Sequence, residues 1–156
     1  MATVEQSIEV DVPLQTAYNQ WTQFEEFPRF MEGVKEVRQL DDTHLHWIVE
    51  VGGKTEEWDA EITEQRPDER VAWRATTGHG NAGVVTFHHR GDNRTAVTVQ
   101  MEHEAEGLKE QLGSALGADS RRVKGDLERF KEFVESRGRE TGAWRGEVKQ
   151  GETVRR

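Results

Sequence analysis

The six histidines are the first residues to test for chemistry, because the chain has no cysteine to supply a thiolate, a disulfide or a sulfur metal ligand. His44 and His46 alternate along a strand-like run and share one face, as two metal ligands would. That face is the outer one, opposite Trp47, and no third ligand accompanies them, whereas a catalytic zinc site draws three ligands from the protein. His88 and His89 straddle both faces of any strand. No metal and no cofactor are therefore expected. Ser114 and Ser120 lie in a helical pattern with no base at a recognisable spacing. His103 and Tyr18 form an acid–base pair to consider, without local support. The run Gly78-His79-Gly80-Asn81-Ala82-Gly83 lacks the lysine and hydroxyl residue of a phosphate loop and opens no helix. Arg121-Arg122 sits among acidic residues and reads as a solvated helix face. No catalytic residue is assigned.

Apolar binding is the chemistry that the pattern does support. Leu45, Trp47, Val49 and Val51 share a face, and Gly52-Gly53 is a strong two-residue hairpin turn. Closing it pairs Val51 with Lys54, Trp47 with Trp58 and Leu45 with Ala60. The turn Arg66-Pro67-Asp68-Glu69, closed on Gln65 and Arg70, puts Ile62 opposite Trp73 and Glu64 opposite Val71. The turn Gly91-Asp92-Asn93, closed on Arg90 and Arg94, sets Phe87 opposite Val97, Val85 opposite Val99 and Gly83 opposite Met101. Successive hairpins thus keep one apolar face in register. Three polar residues share that inner parity: Glu56, level with Val49, and Asn81 opposite His103. They are the candidate polar anchors for a ligand hydroxyl or carbonyl.

Other elements must close that face. Residues 3–11 alternate weakly and predict a first strand. Pro13 suits the first turn of a helix carrying Leu14, Ala17, Tyr18 and Trp21. Phe24, Phe27 and Phe30 are spaced by three, and Pro28 breaks this region into short helical pieces ending at Gly33. Val34, Val37 and Leu40 mark a weak strand. From about Leu108 to Arg137 the period becomes helical: Leu112, Leu116, Val123, Leu127, Phe130 and Val134 form one stripe. Gly113, Gly117 and Gly125 are unusual in a helix and let a backbone or ligand approach closely. Gly138 suits a C-cap. Residues 139–156 hold Trp144 but no apolar period, so the expected organisation is a domain over 1–138 and a flexible tail over 139–156.

The geometry predicts an apolar cavity between the inner sheet face and the helix. Trp47, Trp58, Trp73, Phe87 and Met101 should wall it from the sheet, and Leu112 and Leu116 from the helix. Phe30 or Met31 should cover its mouth. The chain's net charge of −9 weighs against nucleic acid and anionic lipid surfaces. No stretch approaches the roughly 20 apolar residues of a membrane span, and the N-terminus lacks a signal-peptide pattern. A cytoplasmic monomer or weak homodimer, with no integral membrane association, is the expectation.

The order strand, two short helices, about six strands and long helix, with the residues that fill it, resembles the polyketide cyclase/dehydrase-like proteins. These are relatives of coenzyme-Q-binding proteins within the START-related (SRPBCC) superfamily. The matching residues begin with Ser7-Ile8-Glu9-Val10 and Pro13, then Tyr18, Trp21 and Phe24 leading into Phe27-Pro28-Arg29-Phe30-Met31. Trp47, Trp58, Pro67, Trp73, Asn81, Gly83 and Phe87 continue the pattern, and Asp126-Leu127-Glu128-Arg129-Phe130-Lys131 closes it on the last helix. The run Glu140-Thr141-Gly142-Ala143-Trp144-Arg145-Gly146 is similar to tails of actinobacterial members. The resemblance implies an α+β helix-grip fold: a curved antiparallel sheet of about seven strands around a long C-terminal helix. It implies a binder or carrier of a small hydrophobic molecule, such as a lipid, isoprenoid or aromatic polyketide-like compound. An aromatase/cyclase-dehydrase is the alternative, and a stress-related interaction module with a collapsed cavity the second.

Overall fold

Alternating apolar residues build a sheet whose strands run in the order β1-β7-β6-β5-β4-β3-β2, every pair antiparallel. The computed structural model describes residues 2–51, 53–77, 81–103, 112–137 and 139–155. The strands are β1 Ala2–Val10, β2 Val34–Gln39, β3 His44–Val51, β4 Lys54–Arg66, β5 Arg70–Ala75, β6 Asn81–Gly91 and β7 Arg94–His103. Helix α1, Leu14–Trp21, starts after Pro13. A 3₁₀ helix, Phe24–Arg29, follows with Pro28 inside it. Helix α2, Leu112–Arg137, packs across the sheet. This is the helix-grip arrangement. The expected helix start near Leu108 and the cap at Gly138 lie outside the described residues.

The hairpin registers follow from side-chain parity. Val51 pairs with Lys54, Trp47 with Trp58 and Leu45 with Ala60, across a turn whose Gly53 has φ +83°. Phe87 pairs with Val97, Val85 with Val99, Gly83 with Met101 and Asn81 with His103. The expected Arg90–Arg94 closure is shifted by a bulge, and Gly91 faces Arg94 instead. In the β4–β5 hairpin Ile62 does face Trp73, but Val71 faces Gln65 rather than Glu64. A bulge between Ile62 and Glu64 adds one residue and reverses the parity beyond it. Gln65 is thereby turned into the core, where it is 1% exposed.

On the helix side Val123, Leu127, Phe130 and Val134 form the buried stripe. Rings knit α1 and the 3₁₀ helix beneath it. Trp21 meets Phe130 at 5.0 Å and Phe27 at 5.4 Å, and Phe30 meets Phe130 at 5.3 Å.

The expectation of a free tail is overturned. Residues 147–149 form β8, Glu147–Lys149, which pairs with Glu64 and Gln65 of β4 where that strand runs past the end of β3. β9, Glu152–Arg155, pairs back onto β8. Gln150 (φ 51°) and Gly151 (φ 78°) make a two-residue turn with both φ positive, the type that fits strand twist. Val148 is fully buried and Trp144 packs partly against the core. Upstream, Thr141 exchanges two hydrogen bonds with the Gln20 amide, at 2.8 and 3.0 Å. Arg145 donates to Asn19 and Asp68 at 2.6 and 2.7 Å and lies over the Tyr18 ring. A tail can dock without apolar periodicity because its partners are polar groups that α1 buries.

Candidate ligand-binding site

Cross-strand pairing stacks the indoles of Trp47 and Trp58, with centroids 6.1 Å apart and planes 12° apart. On the far side of β4, Trp73 of β5 faces Gly83 of β6, which in turn faces Met101 of β7. A Cβ at Gly83 would stand 2.4 Å from the Gln100 carbonyl oxygen and 2.9 Å from Trp73 Cζ2. The Trp73 indole therefore lies over bare backbone, and glycine is the residue that permits it. Between these aromatics and α2 is a cavity of about 150 Å³. Leu45, Ile62, Val71 and Val99 contribute its floor, and Val123 and Leu127 of α2 its roof. Trp21, Phe24 and Phe27 close one end.

Trp47, Trp58, Trp73, Met101 and Met31 line the cavity as expected from sequence. Phe87 and Phe30 do not. Phe87 is 4% exposed and packs edge-on to Tyr18 at 5.4 Å, because α1 fills the space above that end of the sheet. Phe30 is tucked under α2 against Phe130 and Phe133. One residue's step around the turn separates it from Met31. Glu56 is exposed and does not reach the cavity, since β4 emerges into solvent before Trp58. The side chains of Asn81, His103, Leu112 and Leu116 lie outside the described residues.

The charged side chains at the cavity were not singled out by sequence as lining residues. Among the described residues they are Glu32, Arg122 and Asp126. A signal was available, for Arg122 and Asp126 each precede a stripe residue, Val123 and Leu127, and so flank the buried face. Asp126 Oδ1 accepts the Glu32 backbone N–H at 2.9 Å and a bond from Arg129 Nη2, while Arg129 Nε donates to the Phe30 carbonyl at 2.9 Å. These bonds tie α2 to the 30–34 segment at the rim. Burial pushes the Asp126 carboxyl above the usual aspartate range, against the lowering by the Glu32 N–H and the two arginines.

Tyr18 lies apart from the cavity. Its hydroxyl accepts a 3.1 Å bond from Gln65 Nε2, and burial raises its pKa to about 12, so it is no base near neutrality. His44 and His46 sit on the outer face, each engaged by carboxylates. His46 bonds Asp59 at 2.7 Å and Glu57 at 2.9 Å, and these bonds raise its pKa. Among the described residues no three His, Asp or Glu side chains converge as a metal-ligand set. Nor is any helix among them long and apolar enough to cross a membrane.

Residues 10–132 match the family model described as polyketide cyclase / dehydrase and lipid transport. An uncharacterized 17.2 kDa protein of Streptomyces lincolnensis is 56% identical over 149 residues, covering 95% of this chain and 99% of that protein. Among solved structures, a Deinococcus radiodurans protein is 29% identical with TM-score 0.67, covering 86% of this chain and 98% of its own. The Zhui aromatase/cyclase of a Streptomyces species superposes with TM-score 0.72 at 16% identity, covering 91% of this chain and 98% of its own; at that identity the likeness is one of fold.

Proposed function

The chain belongs to the polyketide cyclase/dehydrase and lipid transport family, and on that premise we propose that it binds and carries a small hydrophobic molecule. The observation that carries this reading is the 150 Å³ space walled by Trp47, Trp58, Trp73 and Met101, whose charged lining residues among those described are Glu32, Arg122 and Asp126. Apolar pockets with a few placed polar groups are the usual form of small-molecule sites. A dry apolar cavity of about this size takes a benzene-sized guest. Each methylene moved from water into it contributes about 0.8 kcal/mol. An open cavity also counts against an interaction module with a collapsed core.

A cyclase-type enzyme is the second reading, and Asp126 is the observation in its favour. It is the part-buried carboxyl at the cavity whose affinity for a proton is raised, as an acid–base group requires. Its oxygen is already held by the Glu32 N–H and Arg129, which favours a structural role.

The test is uptake of toluene as a benzene-sized probe and its displacement by apolar candidates, followed through the four cavity tryptophans, Trp21, Trp47, Trp58 and Trp73. Val123→Trp, placed on the roof, should abolish probe uptake while circular dichroism stays that of the native protein. A folded Val123→Trp protein that takes up the probe as before would refute the cavity as the site. Asp126→Asn should leave uptake unchanged if the protein is a carrier.

A further inference from the structure

Arg122 is placed as no other cation among the described residues is. It lines the apolar cavity, yet it has no hydrogen bond or ion pair among those residues. Its neighbour Arg129 is held by Asp126 and the Phe30 carbonyl. Asp126 feels Arg122 through space without an ion-pair contact. The guanidinium rests on Gly33, whose φ is +83°: a Cβ there would lie 2.6 Å from Arg122 Nη2 and 2.9 Å from the Glu50 carbonyl oxygen. A left-handed glycine at the start of β2 thus leaves the seat that the guanidinium occupies at the rim.

We infer that Arg122 is a carboxylate anchor, and that the ligand is an amphipathic organic acid whose apolar body enters the cavity and whose carboxylate pairs with Arg122. The inference rests on the cavity reading above and names the ligand class. A planar guanidinium matches a carboxylate with two parallel hydrogen bonds. An amine finds a weaker partner, because the Asp126 carboxylate is already paired with Arg129 and the Glu32 N–H through Oδ1, and Glu32 stands largely in solvent, its side chain 73% exposed. A net charge of −9 repels anions from most of the surface, so the free cation at an apolar mouth selects where an anion settles. Asp126 and Glu32 beside it oppose a second negative charge, which favours a carboxylate over a phosphate dianion.

The experiment titrates the protein with benzoic acid, benzyl alcohol and phenyl phosphate, which share one benzene-sized apolar body. Near neutral pH the acid should bind about tenfold tighter than the alcohol, the factor equivalent to about 1.4 kcal/mol. Arg122→Gln should bring acid binding down to that of the alcohol, with circular dichroism showing that the variant is folded. Arg122→Lys should retain part of the preference. Equal binding of acid and alcohol by the wild type, or an acid preference that survives in Arg122→Gln, overturns the inference and leaves the cavity reading intact. Tighter binding of the phosphate than of the acid overturns the carboxylate assignment. Failure of all three to bind removes the cavity reading and this inference with it.

Discussion

Tyr18 and Gln65 are fully buried polar side chains joined to each other, and Gln65 Oε1 has no protein partner among the described residues. Removing one member of such a pair leaves the other unsatisfied. Tyr18→Phe should therefore cost about 1–3 kcal/mol, and the double variant Tyr18→Phe/Gln65→Leu less than the sum of the two single changes. Urea unfolding of the four proteins measures this. The pairing was not legible in the sequence: Glu64 and Gln65 are both polar, and nothing in the pattern marks the bulge that turns one of them inward. The aromatic stack was legible, because strand parity and a glycine turn place Trp47 against Trp58. His46 makes a prediction about pH. Asp59 and Glu57 raise its folded pKa above the ordinary 6.5. Its stabilising contribution is then complete below the unfolded value and lost as pH rises through the folded one. The melting-temperature difference between wild type and His46→Gln should shrink across that window. An NMR midpoint for His46 at or below the ordinary value would contradict this.

The element that the periodicity misses most completely is the C-terminal hairpin. β8 and β9 are three and four residues long, too short for a period to emerge, and each carries one valine. A turn signal was nevertheless present at Gln150-Gly151. Deleting residues 139–156 should expose the Val148 site and strip partners from Asn19, Gln20 and Thr22. Burial of one valine is worth about 1.5–3 kcal/mol, and each of several hydrogen bonds about 1 kcal/mol. A loss of about 3–4 kcal/mol corresponds to a fall of roughly 10 °C in a chain of this size. A melting temperature unchanged by the deletion would mean that these contacts contribute nothing net. At the sheet, Gly83→Ala should push Trp73 off its resting place and cost about 1–3 kcal/mol, the range for overpacking. Its Trp fluorescence should change with the loss in stability.

For the whole molecule, the sequence carried the architecture because three hairpins in phase leave few alternatives, and one helical stripe must cover their common face. The site was half legible. Its walls follow from parity, but its rim depends on where α2 lies over the 30–34 segment, which no local pattern encodes. Helix α2 closes solidly at Phe130 and Val134 and stands off the sheet at Val123 and Leu127, so one end of the grip is packed and the other hollow. The sheet order has a further consequence in the living cell, where a chain leaves the ribosome N-terminal end first. The meander from β2 to β7 can zip as it appears, each strand finding the one just made. β1 cannot: Ala2 pairs with His103 and Val10 with Thr95, so the first strand out must wait, unpaired, for the seventh. The β8–β9 hairpin docks on β4 only after residue 155 has emerged. Protease resistance of arrested nascent chains should accordingly rise in two steps, one after α2 has cleared the tunnel and one after β9 has. While β2 to β6 are being made the nascent sheet is an open ribbon with β1 loose beside it, and it becomes a container only once β7 and α2 have followed.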